Sequence, residues 1–157
     1  MAPEVRIAAW RAIGRSGDLA LAPQVWRRFE AATAPVERCA IADALKFLST
    51  GDQLASMGAW FDARPRPGTE ACAAAELSDR SLLSGDRPDT FEELERETLR
   101  TKMMIAIFNI AGPGTDAWIK ELTANREEPP DLRAKGREIL KLLQHAAPRT
   151  ERRLGAP

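Results

Sequence analysis

The chain has no net charge, no long apolar run and few residues that bind metals through nitrogen or sulfur. Its 157 residues include 23 Lys and Arg, 23 Asp and Glu, one His and two Cys. Because the net charge is zero, no global field draws the protein onto nucleic acid or an anionic membrane, and any such binding has to be local. No apolar stretch approaches the roughly 20 residues of a membrane-spanning helix, and Met1 is not followed by a basic and then apolar leader. These absences predict a cytoplasmic protein without a signal peptide or membrane anchor.

The motifs that usually carry enzymatic chemistry are also missing. The sequence has no Cys/His cluster at metal spacing, no phosphate-binding Gly-rich loop and no Gly-x-Ser-x-Gly elbow. The single histidine, His145, is expected at the end of the last helix, where it interacts with the helix C-terminus. We therefore predict a non-enzymatic protein with no metal and no cofactor.

The two cysteines lie in Ala-rich segments and resemble small buried apolar residues. If Cys39 and Cys72 occupy similar positions in stacked helices, their backbones are about 10 Å apart, beyond the roughly 7 Å limit for a disulfide. The sequence thus predicts free thiols and a reducing compartment.

A Gly-Asp pair returns at a fixed interval and indicates repeated structure. It occurs at Gly17-Asp18, Gly51-Asp52 and Gly85-Asp86, with 34 residues between successive pairs. Prolines at positions 3, 35, 67 and 130 follow a similar interval, spaced 32, 32 and 63 residues apart. Self-similarity at about 20 to 50 residues is typical of a solenoid, in which each unit buries its apolar side by stacking on its neighbours.

Between these markers the apolar residues follow helical spacing, and no segment shows the alternation of a strand. In the first helix the predicted apolar stripe consists of Val5, Ala8, Ala9, Ala12 and Ile13, and Gly14 or Gly17 supplies the end signal. The most apolar stretch, Met103 to Gly112, is predicted to be the centre of the core. Further helices are expected to begin at Asp18, Pro35, Asp52, Pro67, Phe91, Trp118 and Pro129. A repeat domain over residues 1–145 and a flexible tail over residues 146–157 follow from this pattern.

The segment Pro3-Glu-Val-Arg6, with Ala8-Ala9, Ala12-Ile13-Gly14 and Gly17-Asp18, resembles a HEAT repeat of the short bacterial, phycobilisome-lyase type. Weaker copies begin at Pro35, Leu99 and Leu132, whereas residues 64–98 depart most from the pattern. The resemblance implies an all-α fold, a right-handed α-solenoid of about four to five stacked antiparallel helix pairs.

The resemblance also implies that the chain begins halfway through a repeat. In HEAT repeats the Val-Arg segment opens the second helix of a unit, so the first partner helix would be missing here. Ile7 and Trp10 would then lie on an open end of the solenoid. We expect that this chain is the C-terminal piece of a longer protein, or that this end is covered by a partner, either the upstream part of the same protein or a second copy.

Two rows of charged residues follow the repeat and allow two interpretations each. The aspartates either bind cations or a basic peptide or, as we favour, cap the next helices; they are Asp18, Asp52, Asp86 and Asp116. The arginines either line an inner surface for phosphate or carboxylate or bridge neighbouring repeats by pairing with the turn aspartates; they are Arg6, Arg38, Arg100 and Arg133. Among other residues, Trp26, Trp60 and Trp118 are predicted core aromatics, while Asn109 either locks two helices together or holds a bound peptide backbone.

These patterns favour a non-enzymatic scaffold that binds another protein through the concave surface of the second helices. The candidate binding residues are Arg6, Trp10, Arg11, Arg38, Asp43, Arg100, Lys102, Asn109, Arg133 and Arg137. An alternative is nucleic-acid binding of the kind that HEAT-like DNA-alkylation repair glycosylases perform, against which the neutral charge weighs. The lyase-type resemblance also allows a role as an accessory to cofactor attachment, although no residue supports it. Residues 86–97 hold six acidic and two basic side chains and residues 126–153 hold eight basic and five acidic ones, which suits head-to-tail contact with another repeat protein or simply solvated faces.

Overall fold

The computed structural model describes residues 2–72, 97–111 and 114–144, and within these ranges it contains seven α-helices and no strand. The all-α fold class is confirmed for this part of the chain. The helices are α1 (Pro3–Ser16), α2 (Ala22–Ala31), α3 (Pro35–Leu48), α4 (Gly51–Asp62), α5 (Leu99–Ala111), α6 (Gly114–Ala124) and α7 (Pro130–Gln144). A 3-10 turn, Leu19–Leu21, precedes α2.

Local sequence signals set most helix ends. Proline occupies the first positions of α1, α2 and α3, where its missing N–H costs no hydrogen bond. Helix α1 ends at Gly17, which adopts the left-handed conformation (φ 67°) and donates its N–H to the carbonyl of Gly14. The starts of α1 and α3 and the end of α1 were expected from the sequence, whereas α2 begins at Ala22 and α6 at Gly114, not at the predicted Asp18 and Trp118.

The predicted capping aspartates behave differently from one another. Asp18 caps as predicted, because its carboxylate accepts the N–H of Ala20 at 3.1 Å. Helix α4 is instead capped by Thr50 and Gln53, which form a capping box, so the prediction that Asp52 caps it is wrong. Asp52 lies in the first turn of α4, where a carboxylate favours the positive end of the helix dipole. Asp116 likewise lies in the first turn of α6, and Asp86 is outside the described residues.

Some helices that contact each other are far apart along the chain. Helix α3 packs against α1, α2 and α5, while α4 packs against α5, and α6 against α7. Helices α4 and α5 are therefore partners, although residues 63–98 separate them in sequence. The prediction of a helix that starts at Pro67 is wrong for residues 67–72, which are not helical. The remainder of that prediction, and the start of the helix expected from Phe91, lie outside the described residues.

The core is centred on α5, as the apolar stretch predicted. Five residues of α5 from this stretch are buried: Met103, Met104, Ala106, Ile107 and Ile110. Around them three tryptophans pack on phenylalanines, with Trp26 and Trp60 at 5.3 and 5.5 Å from Phe29 and Trp118 at 5.3 Å from Phe61, measured between ring centroids. The predicted core role of these tryptophans is confirmed.

Helix α1 is rotated relative to the sequence prediction. Ile7 is buried against Ala40 of α3, and Trp10 packs on the same cluster, so neither residue lies on an open end. The prediction is wrong because it counted small alanines as the packing stripe and did not use Gly14. A Cβ at Gly14 would stand 3.0 Å from the Cα of Ala44, so the absence of that Cβ lets α1 and α3 approach closely. The solvent-facing side of α1 carries Val5, Ala8, Ala9 and Ala12.

The two cysteines form a disulfide, which overturns the prediction of free thiols. The Cα atoms of Cys39 and Cys72 are 5.8 Å apart, and both residues are 2% exposed. The expected separation of about 10 Å assumed that both cysteines lie in stacked helices. Cys72 instead lies in a non-helical stretch that runs beside α3. The inference of a reducing compartment depended on free thiols and loses its basis, since disulfides are rare in cytosolic proteins.

Candidate functional site

Helices α1, α3, α5 and α7 lie side by side in that order, and two of their contacts form the regions of interest. Along the contact between α3 and α5, Lys102 of α5 bonds to Asp43 of α3. Two turns further along α5, Asn109 bonds to Lys46, which lies one turn further along α3, so the two helices run in the same direction. We call this contact the closed seam and define it by Asp43, Lys46, Glu97, Lys102 and Asn109. We call the contact between α5 and α7 the open groove and define it by Ile105, Phe108, Asn109, Lys135, Glu138, Ile139, Leu142 and Leu143.

The closed seam contains two lysines and two carboxylates that pair in a ring. The ammonium of Lys102 lies 2.6 Å from Asp43 and 3.4 Å from Glu97, and that of Lys46 lies 3.1 Å from Asp43 and 2.9 Å from Glu97. The Lys102 side chain is 0% exposed, and the other three are between 14% and 20% exposed. Within this ring each lysine touches both carboxylates. Among the described residues, the two positive and two negative charges of the ring are therefore paired with each other.

The pKa values of both carboxyl groups in the ring are held below their usual range. Burial alone raises the pKa of Asp43, but Lys46 and Lys102 together outweigh it through charge attraction and hydrogen bonds. The same balance of burial against Lys46 and Lys102 lowers the pKa of Glu97. Both groups are therefore ionised at neutral pH and act as fixed counter-charges to the lysines.

Arg100 is buried and acts as a bridge within the fold. Its guanidinium donates to both carboxylate oxygens of Glu128 at 3.0 and 2.9 Å and to the carbonyl of Phe61 at 2.6 Å. It also lies 3.7 Å from the centroid of the Phe61 ring. Since Phe61 belongs to α4 and Glu128 to the connection between α6 and α7, this side chain joins three parts of the core.

The prediction that Arg100 and Lys102 are exposed on a binding surface is wrong. Arg100 is 1% exposed and Lys102 is 0% exposed. Their charges are satisfied by Glu128 and by Asp43 and Glu97, which are distant in sequence and invisible to local patterns.

The arginine row bridges elements of the fold, although not through the turn aspartates. Arg38 lies over the Phe29 ring and 3.8 Å from Glu70, and Arg133 donates from Nε to the carbonyl of Glu128. With Arg100, three of the four arginines contact neighbouring segments. The expected aspartate partners are wrong, because glutamates and a carbonyl take their place. Arg6 of α1 is exposed.

Asn109 stands where the closed seam meets the open groove. Its side-chain amide donates to the carbonyl of Lys46 at 2.9 Å and thereby ties α5 to α3. This contact supports the helix-locking interpretation made from the sequence. Because Asn109 also lines the open groove, its contribution to binding a peptide backbone stays a prediction.

The open groove has a volume of about 270 Å³ and a mainly apolar lining. Ile105 and Phe108 form the α5 side, whereas Ile139, Leu142 and Leu143 form the α7 side. Leu142 is 65% exposed, the highest value among the large apolar residues that the structure describes as exposed. At the rim Lys135 pairs with Glu138 at 3.2 Å. The groove is therefore an apolar depression whose bordering charges compensate each other.

Helix α7 packs more closely on α6 than on α5. Gly136 allows this approach, since a Cβ there would stand 2.6 Å from a methyl carbon of Thr123 and 3.5 Å from one of Ile119. Ile139 still reaches the core and is 8% exposed. The side of α7 that turns towards α5 is left partly uncovered.

The ten predicted binding residues do not form one site. Asp43, Lys102 and Asn109 belong to the closed seam, and of the ten only Asn109 also lines the open groove. Trp10 and Arg11 are half-buried in α1, and Arg137 of α7 is exposed but does not line the groove.

Sequence reasoning missed Phe108, Leu142 and the groove that they line. The available signal was the run Ile139, Leu140, Leu142 and Leu143, which holds more apolar residues than one buried stripe of α7 requires.

No metal site or membrane span is found in the described part of the chain. Over residues 2–72, 97–111 and 114–144, no three His, Cys, Asp or Glu side chains are grouped so as to hold a metal ion. No helix in those ranges combines the length and apolarity needed to cross a membrane. His145 lies outside them. Comparisons with protein-family models, with curated proteins and with solved structures found no match to this chain.

Proposed function

We propose that the chain is a HEAT-like α-solenoid that binds another protein through the open groove and has no catalytic role. In this arrangement α2–α3, α4–α5 and α6–α7 are successive layers, α1 is the second helix of a preceding layer, and the odd-numbered helices form the concave side. The neighbour relations of the helices support it, since α1, α3, α5 and α7 contact each other in sequence order.

The observation that carries the proposal is the exposure of Leu142 beside an apolar depression. An exposed leucine alone is ordinary, but a concave apolar patch with polar groups at its rim is the usual form of a binding site. The groove volume of about 270 Å³ is slightly smaller than the volumes of small-molecule pockets, which are roughly 300–1,000 Å³. It suits one or two apolar side chains of a protein partner better than a cofactor.

The closed seam argues against nucleic acid as the partner. Phosphate binding needs lysines and arginines whose charges face the solvent. Two of the basic residues predicted for that surface, Arg100 and Lys102, are buried in internal ion pairs. No observation in the described residues specifically favours the nucleic-acid alternative.

Selection of peptides from a random displayed library tests the proposal. The whole chain is the bait, and the affinities of the enriched peptides are measured by titration calorimetry. We expect enriched peptides to carry a large apolar residue and to lose roughly 10- to 100-fold in affinity for the Leu142→Lys variant, because burying a leucine-sized side chain stabilises by about 1.5–3 kcal/mol.

The matched control is Val5→Lys, since Val5 is also a large exposed apolar residue, 53% exposed, but lies on α1 away from the groove. Equal loss of affinity in both variants, or no loss in Leu142→Lys, contradicts the proposal. Retardation of duplex DNA that weakens with added salt would instead favour nucleic-acid binding.

A further inference from the structure

The chain leaving α4 and the chain entering α5 meet in a short antiparallel contact. Three backbone N–H groups donate to backbone carbonyl oxygens across it: Cys72 to Glu97 at 3.0 Å, Leu99 to Glu70 at 3.2 Å and Arg100 to Gly68 at 2.7 Å. Ala71 and Thr98 form an isolated bridge between these bonds. We call this contact the neck and define it as Gly68–Cys72 with Glu97–Arg100. Residues 73–96 therefore connect two points of the chain that are held together.

The neck is fastened to one side of α3. Cys72 is bonded covalently to Cys39, and one residue earlier in α3, Arg38 lies 3.8 Å from Glu70. Two turns further along α3, Lys46 lies 2.9 Å from Glu97 on the other segment of the neck. Both segments of the neck are thus bonded to α3, one of them covalently.

The disulfide is the strongest of these fastenings. The Arg38–Glu70 pair is partly exposed, with side-chain exposures of 25% and 37%, and such pairs stabilise weakly. The disulfide closes a loop between cysteines 33 residues apart, which restricts the unfolded chain substantially. Loss of this bond therefore removes the covalent constraint between the neck and α3 and leaves the Lys46–Glu97 and Arg38–Glu70 ion pairs.

We propose that the Cys39–Cys72 disulfide is a redox-controlled lock on the neck. A dithiol reductant supplies two electrons and two protons, the sulfur–sulfur bond breaks into two thiols, and the dithiol becomes a cyclic disulfide. Both cysteines are 2% exposed, so a thiolate reaches them only when the neck opens. Reduction and neck opening are thus coupled, and each facilitates the other. This inference does not depend on the proposed binding function.

Hydrogen exchange of the whole chain, followed by NMR in the oxidised and the dithiothreitol-reduced state, tests the lock. We expect the amides of Cys72, Leu99 and Arg100 to exchange more than tenfold faster after reduction, because their acceptors lie across the neck. The amides of Ile139 and Leu140 in α7 should keep their rates. Unchanged exchange at the neck in protein with two free thiols by mass, or equal acceleration in α7, overturns the proposal. So does the finding of two free thiols in air-oxidised protein.

A second measurement weakens the neck without altering the cysteines. Gly68 has φ 74°, and a Cβ there would stand 2.5 Å from the Trp60 ring and 3.0 Å from the amide nitrogen of Arg100. Gly68→Ala should therefore accelerate reduction by dithiothreitol more than tenfold, as measured by alkylation and mass spectrometry. The control is Gly58→Ala, because no atom lies within 4 Å of a Cβ at that position. Equal reduction rates in the two variants would show that neck opening does not control access to the disulfide.

Discussion

Helix α5 takes part in both the closed seam and the open groove, but charged and polar side chains form the seam, whereas mainly apolar side chains line the groove. The closed seam joins α3 to α5 with four paired charges and the Asn109 amide, and its polar groups are used internally. The open groove between α5 and α7 is lined mainly by apolar side chains, of which Leu142 is 65% exposed. The charges of the closed seam therefore hold two helices of the fold together, whereas the proposed binding surface is lined mainly by apolar side chains. Substitutions at the two contacts should accordingly have different consequences.

The largest effect is expected at the buried arginine that precedes the closed seam in α5. Arg100→Met removes the buried guanidinium partner of the Glu128 carboxylate, which is 3% exposed, and leaves Arg66 at 3.5 Å as a second cation. Because Arg66 offsets part of the effect, we expect a loss near the lower end of the about 3–5 kcal/mol that breaking a buried ion pair costs. Urea unfolding followed by circular dichroism should show a reduction of this size in the free energy of unfolding.

The exposed Arg137 gives the control, since Arg137→Met should change stability by less than about 0.5 kcal/mol. The double variant Arg100→Met with Glu128→Gln should recover part of the loss. A loss in Arg100→Met no greater than that in Arg137→Met would show that the Arg100 bridge is unimportant.

The next effect concerns the close approach of α1 and α3, which adjoins the closed seam. Gly14→Ala places a Cβ 3.0 Å from the Cα of Ala44, so the two helices have to move apart. We expect a loss of about 1–3 kcal/mol in thermal or urea unfolding, as for overpacked cores. Gly58→Ala in α4 meets no atom within 4 Å and should be neutral or stabilising by about 0.5–1 kcal/mol. The same stabilisation in both variants would contradict the packing of α1 described above.

A smaller effect is expected from acid. The lowered pKa values of Asp43 and Glu97 mean that the folded protein holds these carboxylates ionised more strongly than the unfolded chain does. Their contribution to stability is therefore complete above the unfolded pKa, about 4, and is lost as the pH falls through the lower folded values. Urea unfolding between pH 6 and pH 3 should show a steeper loss for the natural chain than for Asp43→Asn. Parallel curves for the two proteins would indicate that the ring does not perturb Asp43.

The smallest effect on stability is expected in the open groove. Leu142 is 65% exposed, so Leu142→Lys should change the free energy of unfolding by less than about 0.5 kcal/mol. Urea unfolding at neutral pH measures this. A loss above about 2 kcal/mol would mean that Leu142 belongs to the core. The open groove would then stabilise the fold, as the closed seam does.

The sequence predicted those features that depend on residues close to each other. Pro3, Pro35 and Gly17 marked helix ends through their own backbone geometry, and the apolar run in α5 identified the core. The rotation of α1 was mispredicted, since alanines fit either a buried or an exposed side and the deciding contact is between Gly14 and Ala44.

Features that join distant residues were not predictable. The neck pairs Gly68 with Arg100, and the burial of Arg100 depends on Glu128, so no local pattern contains either contact. The disulfide was missed for the same reason, because the position of Cys72 is set by the neck and not by a helix. The open groove was missed because it is lined by residues of two helices, α5 and α7, that are distant from each other in sequence.

The binding site is tested most directly by an NMR titration of the labelled chain with the tightest peptide from the library selection. If the peptide binds the open groove, the largest chemical-shift changes fall on amides such as those of Ile105, Asn109 and Leu142, while amides of α2 stay unchanged. Largest changes in α2 or on the outer side of α1, with the groove unaffected, would contradict the assignment of the binding site to the contact between α5 and α7.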